Sequence, residues 1–302
     1  SLLGWKSTIR KIISNYENRF LLKLVNWGDA DMINLYDERG EFIPPDAAKK
    51  PPLGKAYLHH MQSIGCNFAI PFSSFHTYIR EDSIHMNKFI TPLEKHFEGF
   101  KSENCNLLPA HIRWDSNKGD FREISTEKNP GIILSPKDFD DNYSDELTKD
   151  DEDLLCRYFQ SFDHLKRHFG TITFSVGGKE INIKLSNHKP SIYFQAPRTS
   201  LMKAVSYEIF DDLLIGNFMK TTLYNCDSLY PNFTPYVSKY GDNGLAHSKS
   251  DLEKYFSYYK LNSADYWKDM LSIQTESIIR KTISSDSKVY KAAKNLRDRL
   301  VS

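Results

Sequence analysis

The feature that most constrains the fold is a paired glycine: ITFSV runs into Gly177-Gly178, and INIKL follows after two residues. Apolar and polar residues alternate on both sides, and a two-glycine loop between such runs is a strong hairpin signal, because glycine takes positive φ without steric cost. The pairing puts Ile172, Phe174 and Val176 on one face with Ile181, Ile183 and Leu185. SIYFQA supplies a further strand and stops at Pro197. LMKAVSYEIFDDLLIGNFM then carries Leu201, Val205, Ile209 and Leu213 at i, i+4 spacing, the stripe of an amphipathic helix. The expectation is a β-meander of three antiparallel strands feeding one helix: an α+β domain with a helical tail. In that tail Ser250 with Glu253 reads as a capping box, and Ser263 as the cap of a stretch to about Ile283.

The first 125 residues follow another pattern. Phe20–Val25 reads as a strand, Asp46 to Ile64 as a helix, Asn67–Pro71 as a second strand and LLPAHIRW (107–114) as a third, which favours an α/β arrangement. Ile9, Ile12 and Ile13 mark a helix before the first strand, so the chain enters a βαβ pattern midway; the expectation is that an N-terminal part precedes it. KDFDDNYSDELTKDDED (137–153) is acidic and poor in apolar residues. Lacking the glycine of an EF-hand, it reads as a solvated connection ending in the acidic first turn of a helix. The organisation is therefore 1–125, an acidic connection at 126–153, and 154–302.

Composition excludes several function classes. Forty Lys and Arg balance thirty-nine Asp and Glu, a net charge of +1, so the basic footprint of a nucleic-acid binder is missing. No apolar run reaches the roughly 18–20 residues of a membrane span. The four cysteines form no C-x-x-C pair and read as reduced thiols of a cytoplasmic protein. Phosphate-loop, dinucleotide, nucleophile-elbow and H-E-x-x-H motifs are all missing from the sequence. His59-His60 is the only adjacent histidine pair, and neighbours on a helix point about 100° apart, too far to share an ion easily.

Two clusters carry candidate chemistry. AIPFSSFHTYIRED (69–82) leaves a strand end, where α/β sheets bind ligands. Ser73 and Ser74 could hold oxyanions, His76 could serve as metal ligand or general base, and Tyr78 and Arg80 could bind an anionic substrate. The structural alternative packs His76 and Tyr78 inward and leaves Arg80, Glu81 and Asp82 as a surface ion cluster. NWGDADMIN (26–34) places Asp29 and Asp31 at another strand end, able to bind a metal or orient a histidine, or else to form an Asx-turn with Gly28.

The run from GDADMINLYDERGEFIPPDAAKK through GKAYLHHMQSIGCNFAIPFSSFH resembles the final part of the metallo-β-lactamase fold. The likeness is to the branch that includes ascorbate-6-phosphate lactonase and the non-Rieske domain of CMP-N-acetylneuraminate hydroxylase. Gly28-Asp29, Asp46-Ala47 and Ile70-Pro71 stand in the branch's order, and PFSSFHTYIREDSIHMNKFITP resembles the hydroxylase-type continuation. YEIFDDLLIGNFMKTTL (207–223) is similar to the C-terminal region of bacterial proteins of this kind. The resemblance implies the closing part of an αββα sandwich and metal-dependent hydrolysis, or a related oxidation, of an anionic small molecule. A zinc or iron centre would generate a hydroxide nucleophile. Asp29, Asp31, Ser73, Ser74 and His76 would line that site, with Arg80 steering the substrate. Two departures stand out: the H-x-H-x-D-H metal motif does not occur in these 302 residues, and Ser73 stands where many members have the last metal histidine, His76 following three residues later. The implied partner is an N-terminal part of the same enzyme carrying the metal motif. Residues 170–225 also faintly resemble sterol-carrier-like domains, which implies a noncatalytic apolar-ligand module as the rival function; as residues, such a stripe usually marks a plain core.

Overall fold

The computed structural model describes residues 6–24, 33–45, 48, 52–72, 75–127, 131–230, 232–237, 249–262, 266, 267 and 271. In chain order its elements are α1 (Lys6–Ile13), β1 (Phe20–Lys23), β2 (Leu35–Tyr36), β3 (Phe42–Ile43), α2 (Leu53–Ile64), β4 (Phe68–Pro71), β5 (Asn106–Leu107), β6 (Ile112–Asp115) and β7 (Asp120–Glu123). There follow α3 (Lys149–Gln160), α4 (Asp163–His168), β8 (Thr171–Val176), β9 (Lys179–Lys184), β10 (Ser191–Gln195), α5 (Arg198–Tyr207), α6 (Phe210–Ile215), β11 (Lys220–Tyr224), α7 (Thr234–Val237) and α8 (Lys249–Asn262). Short 3₁₀ turns occupy Ile84–Phe89, Leu93–Phe97 and Pro136–Phe139. The class is mixed α/β.

A three-stranded parallel sheet, ordered β1-β4-β5, forms the N-terminal layer. α2 crosses between β1 and β4 and buries Tyr57 and Met61 against Ala69, Cys66 and Cys105. α2 ends where Gly65 takes φ 90°, a left-handed cap that lets its N–H reach the Met61 carbonyl. LLPAHIRW is not one strand. β5 ends at Leu107, Pro109 offers no N–H for a ladder, and Ile112–Asp115 pairs instead with β7 in a separate ribbon whose Trp114 ring packs on Phe20 and Phe68.

The larger sheet has the order β3-β2-β11-β10-β8-β9. The β8–β9 hairpin turns at Gly177-Gly178 as expected, but the meander does not form: β10 lies on the other side of β8 and runs parallel to it. The chain reaches that position by crossing over Gly170. The Gly170 N–H donates to the Pro190 carbonyl, and a Cβ on Gly170 would stand 2.0 Å from the His188 carbonyl oxygen. Nor does one helix follow. Glu208 adopts φ 58°, ending α5 with its N–H on the Ala204 and Val205 carbonyls, and α6 starts afresh at Phe210.

Sheet pairing also crosses the boundary drawn at residues 126–153. β2 pairs in parallel with β11, the Asn34 carbonyl accepts from the Thr221 N–H, and Ile33 is buried in the same core as Phe174 and Phe194. The acidic connection is only partly solvated: α3 does begin with Asp150, Asp151 and Glu152 behind a Thr148–Asp151 capping box, but Asp141 is fully buried. α8 already includes Lys249, so Ser250 stands inside that helix rather than capping it, while Ser263 lies outside the described residues.

Candidate functional site

The three parallel strands β1, β4 and β5 end at one edge, the place where open α/β sheets collect ligands. Phe72 (55% exposed) and Phe75 (38%) leave the end of β4. The Phe75 ring lies 5.8 Å from that of His96 and 6.0 Å from that of His111, both edge-on. His96 is buried, and its Nδ1 is 3.4 Å from the hydroxyl of Tyr57, which also lies 3.3 Å from the carbonyl oxygen of Lys23, the last residue of β1. Burial pushes the His96 ring below the ordinary histidine range, against the opposing pull of the Thr91 carbonyl and Glu94, and so favours the neutral imidazole. Burial likewise lowers the Lys23 ammonium. His60 is pushed down to about 4, by burial first and then by Lys23 and His59.

The proposed loop residues fare differently. His76 and Tyr78 form an edge-on pair with centroids 4.8 Å apart, both half-buried. Tyr78 is fixed through its backbone, its N–H donating to Asn87 Oδ1 and its carbonyl accepting from Asn87 Nδ2, each at 2.8 Å. Arg80 enters a buried cluster. Its Nε donates to Asp82 Oδ1 at 2.7 Å, Nη2 to Asp82 Oδ2 at 3.2 Å and Nη1 to Asp141 Oδ2 at 2.6 Å. The guanidinium carbon sits 3.8 Å over the Phe218 ring. Burial works against the Arg80 charge, and its hydrogen bonds to the Asp82 and Asp141 carboxylates more than restore it. Arg80 is thus no surface ion cluster: its side chain is 9% exposed and committed to partners of its own chain. It borders an open depression of ≈ 490 Å³ together with Phe139, Ser200, Lys203 and Phe218. Asp29, Asp31, Ser73 and Ser74 lie outside the described residues.

Sequence reasoning missed Tyr57, His96 and His111. His111 carried a usable signal, since it follows closely on the end of a strand, but reading 107–114 as one strand concealed it. Among the described residues no three His, Cys, Asp or Glu side chains converge as a metal site. The apolar residues between 170 and 225 pack as a core, with Phe174, Phe194 and Phe210 rings at 5.2–6.1 Å from one another. No helix among the described residues is long and apolar enough to cross a membrane. No family model, curated protein or solved structure matches the chain.

Proposed function

We propose that this chain is the closing part of a metallo-β-lactamase-like sandwich and forms one wall of the site of a metal-dependent hydrolase acting on an anionic small molecule. The observation that supports it most is the second face of the three-stranded sheet. α2 covers the face bearing Leu21, Ala69 and Leu107. The opposite face presents Phe20, Leu22, Phe68 and Ile70, with Leu22 55% exposed and Trp114 as the aromatic ring packed there among the described residues. Parallel sheets are stable with both faces covered, so an apolar face of this kind suits a second sheet. The edge carrying Phe75, His76, His96 and His111 would then face the enclosed site.

Zinc or iron, which the resemblance implies, does not fit the described residues on their own, and the H-x-H-x-D-H motif is not in the sequence. The ligands would come chiefly from an N-terminal part of the same enzyme. The chain's own residues supply the wall: Phe72 and Phe75 exclude water, and His76 presents an imidazole held beside Tyr78. Elemental analysis of this chain after dialysis should find zinc and iron well below one equivalent; stoichiometric metal would overturn the reading. In the full-length protein His76→Ala should lower turnover of anionic esters or lactones while leaving the circular dichroism spectrum intact. Unchanged turnover would remove His76 from the site.

A further inference from the structure

β4 and β5 run parallel with Phe68 opposite Asn106 and Ala69 opposite Leu107. The Asn106 N–H donates to the Asn67 carbonyl at 2.8 Å, which draws together the segments just ahead of β4 and β5, where Cys66 and Cys105 stand. Both side chains turn into the same buried cluster, beside Tyr57 and Met61. The Cys105 Sγ lies 3.7 Å from the Cys66 carbonyl oxygen, and both thiols are free. Burial pushes the Cys66 thiol up, against the opposing pull of Arg19.

We propose that Cys66 and Cys105 form a vicinal dithiol that an organic disulfide such as glutathione disulfide converts to an intramolecular disulfide joining β4 to β5. One thiolate attacks the glutathione disulfide, breaks its S–S bond and releases a glutathione thiolate; the second attacks the mixed disulfide and releases another. The protein gives up two electrons and two protons, and the oxidant leaves as two glutathione thiols. The bond closes the β4 and β5 ends opposite the strand-end cluster, and the proposal does not depend on the hydrolase reading. Cys156 on α3 and Cys226 after β11 sit in the other core and remain spectators.

The test treats the native chain with excess glutathione disulfide at mildly alkaline pH, then alkylates it in denaturant and maps it without reduction. A second arm refolds the chain from denaturant in the same buffer, so that burial of the thiols does not limit the reaction. The expected product keeps two alkylated cysteines, Cys156 and Cys226, and yields one cross-linked peptide pair containing Cys66 and Cys105. Cys66→Ser and Cys105→Ser should each abolish that pair, whereas Cys156→Ser and Cys226→Ser should preserve it. Four alkylated cysteines in both arms, or cross-links through Cys156 or Cys226, would overturn the proposal.

Discussion

Asp141→Ala is the substitution that tests the architecture most directly. Its carboxylate is 0% exposed and serves three donors: Arg80 Nη1 at 2.6 Å, the Ser200 hydroxyl at 2.6 Å and the Ser200 N–H at 2.9 Å. The last lies in the first turn of α5, where an acceptor satisfies an otherwise orphan donor. Breaking a buried ion pair from one side costs about 3–5 kcal/mol, because the surviving charge stays buried. Here Arg80 keeps its two bonds to Asp82, whose side chain is 22% exposed, so the loss belongs near about 3 kcal/mol. That is a large share of the roughly 5–15 kcal/mol by which domains are stable. Urea denaturation should show the midpoint falling with little change in slope. In a double-mutant cycle with Arg80→Met, the coupling should exceed about 1 kcal/mol. A loss below about 0.5 kcal/mol, or additive single effects, would refute the claim that Arg80 is anchored to its own chain.

Gly170→Ala should cost about 3 kcal/mol, the upper end for overpacking, because the new methyl meets the His188 backbone carbonyl, which cannot swing aside; a thermal midpoint within a degree of the parent would contradict the crossover. His60 ordinarily titrates near ~6.5 in an unfolded chain and is held at about 4 here, so between those values the unfolded state binds the proton and the folded state does not. Its contribution is complete above about pH 6.5 and is lost as pH falls toward 4, by about 1–2 kcal/mol after allowance for its partial exposure. His60→Gln should flatten that acid limb of stability, and an unaltered limb would show that other groups set it. Leu22→Lys should leave the stability of this chain within about 0.5 kcal/mol, since Leu22 is 55% exposed, yet on the proposed reading it should weaken docking of the second sheet; a loss well above that in this chain alone would show that Leu22 is already packed.

What the sequence revealed and what it concealed divide by the range of the interaction. The Gly177-Gly178 hairpin and the acidic first turn of α3 are local, and their chemistry is written in adjacent residues. The β2–β11 pairing joins Leu35 to Thr221, and two residues of strand carry no pattern that announces a partner so remote. The parallel β8–β10 pair is equally invisible, because alternation fixes which face a strand buries but not the direction of its neighbour. The break between α5 and α6 hides inside an intact i, i+4 stripe: Leu201, Val205 and Leu213 are buried, and only the left-handed Glu208 reveals that two helices share them.

Arg80 shows the same limit at the candidate site. Its nearest acids in sequence, Glu81 and Asp82, suggested a surface cluster, whereas the partner that draws it inward is Asp141, 61 residues away within a run of acids. That partner also explains how the loop after β4 is held. Pro71 is fixed in the sheet, Tyr78 is clamped from both backbone sides by Asn87, and Arg80 is tied to α5 through Asp141 and Ser200. His76 therefore departs from a strand end and returns to a fixed anchor within a few residues. Arg80, four residues beyond His76, is tied through Asp141 to Ser200 of α5, so weakening Arg80 should disturb the position of His76.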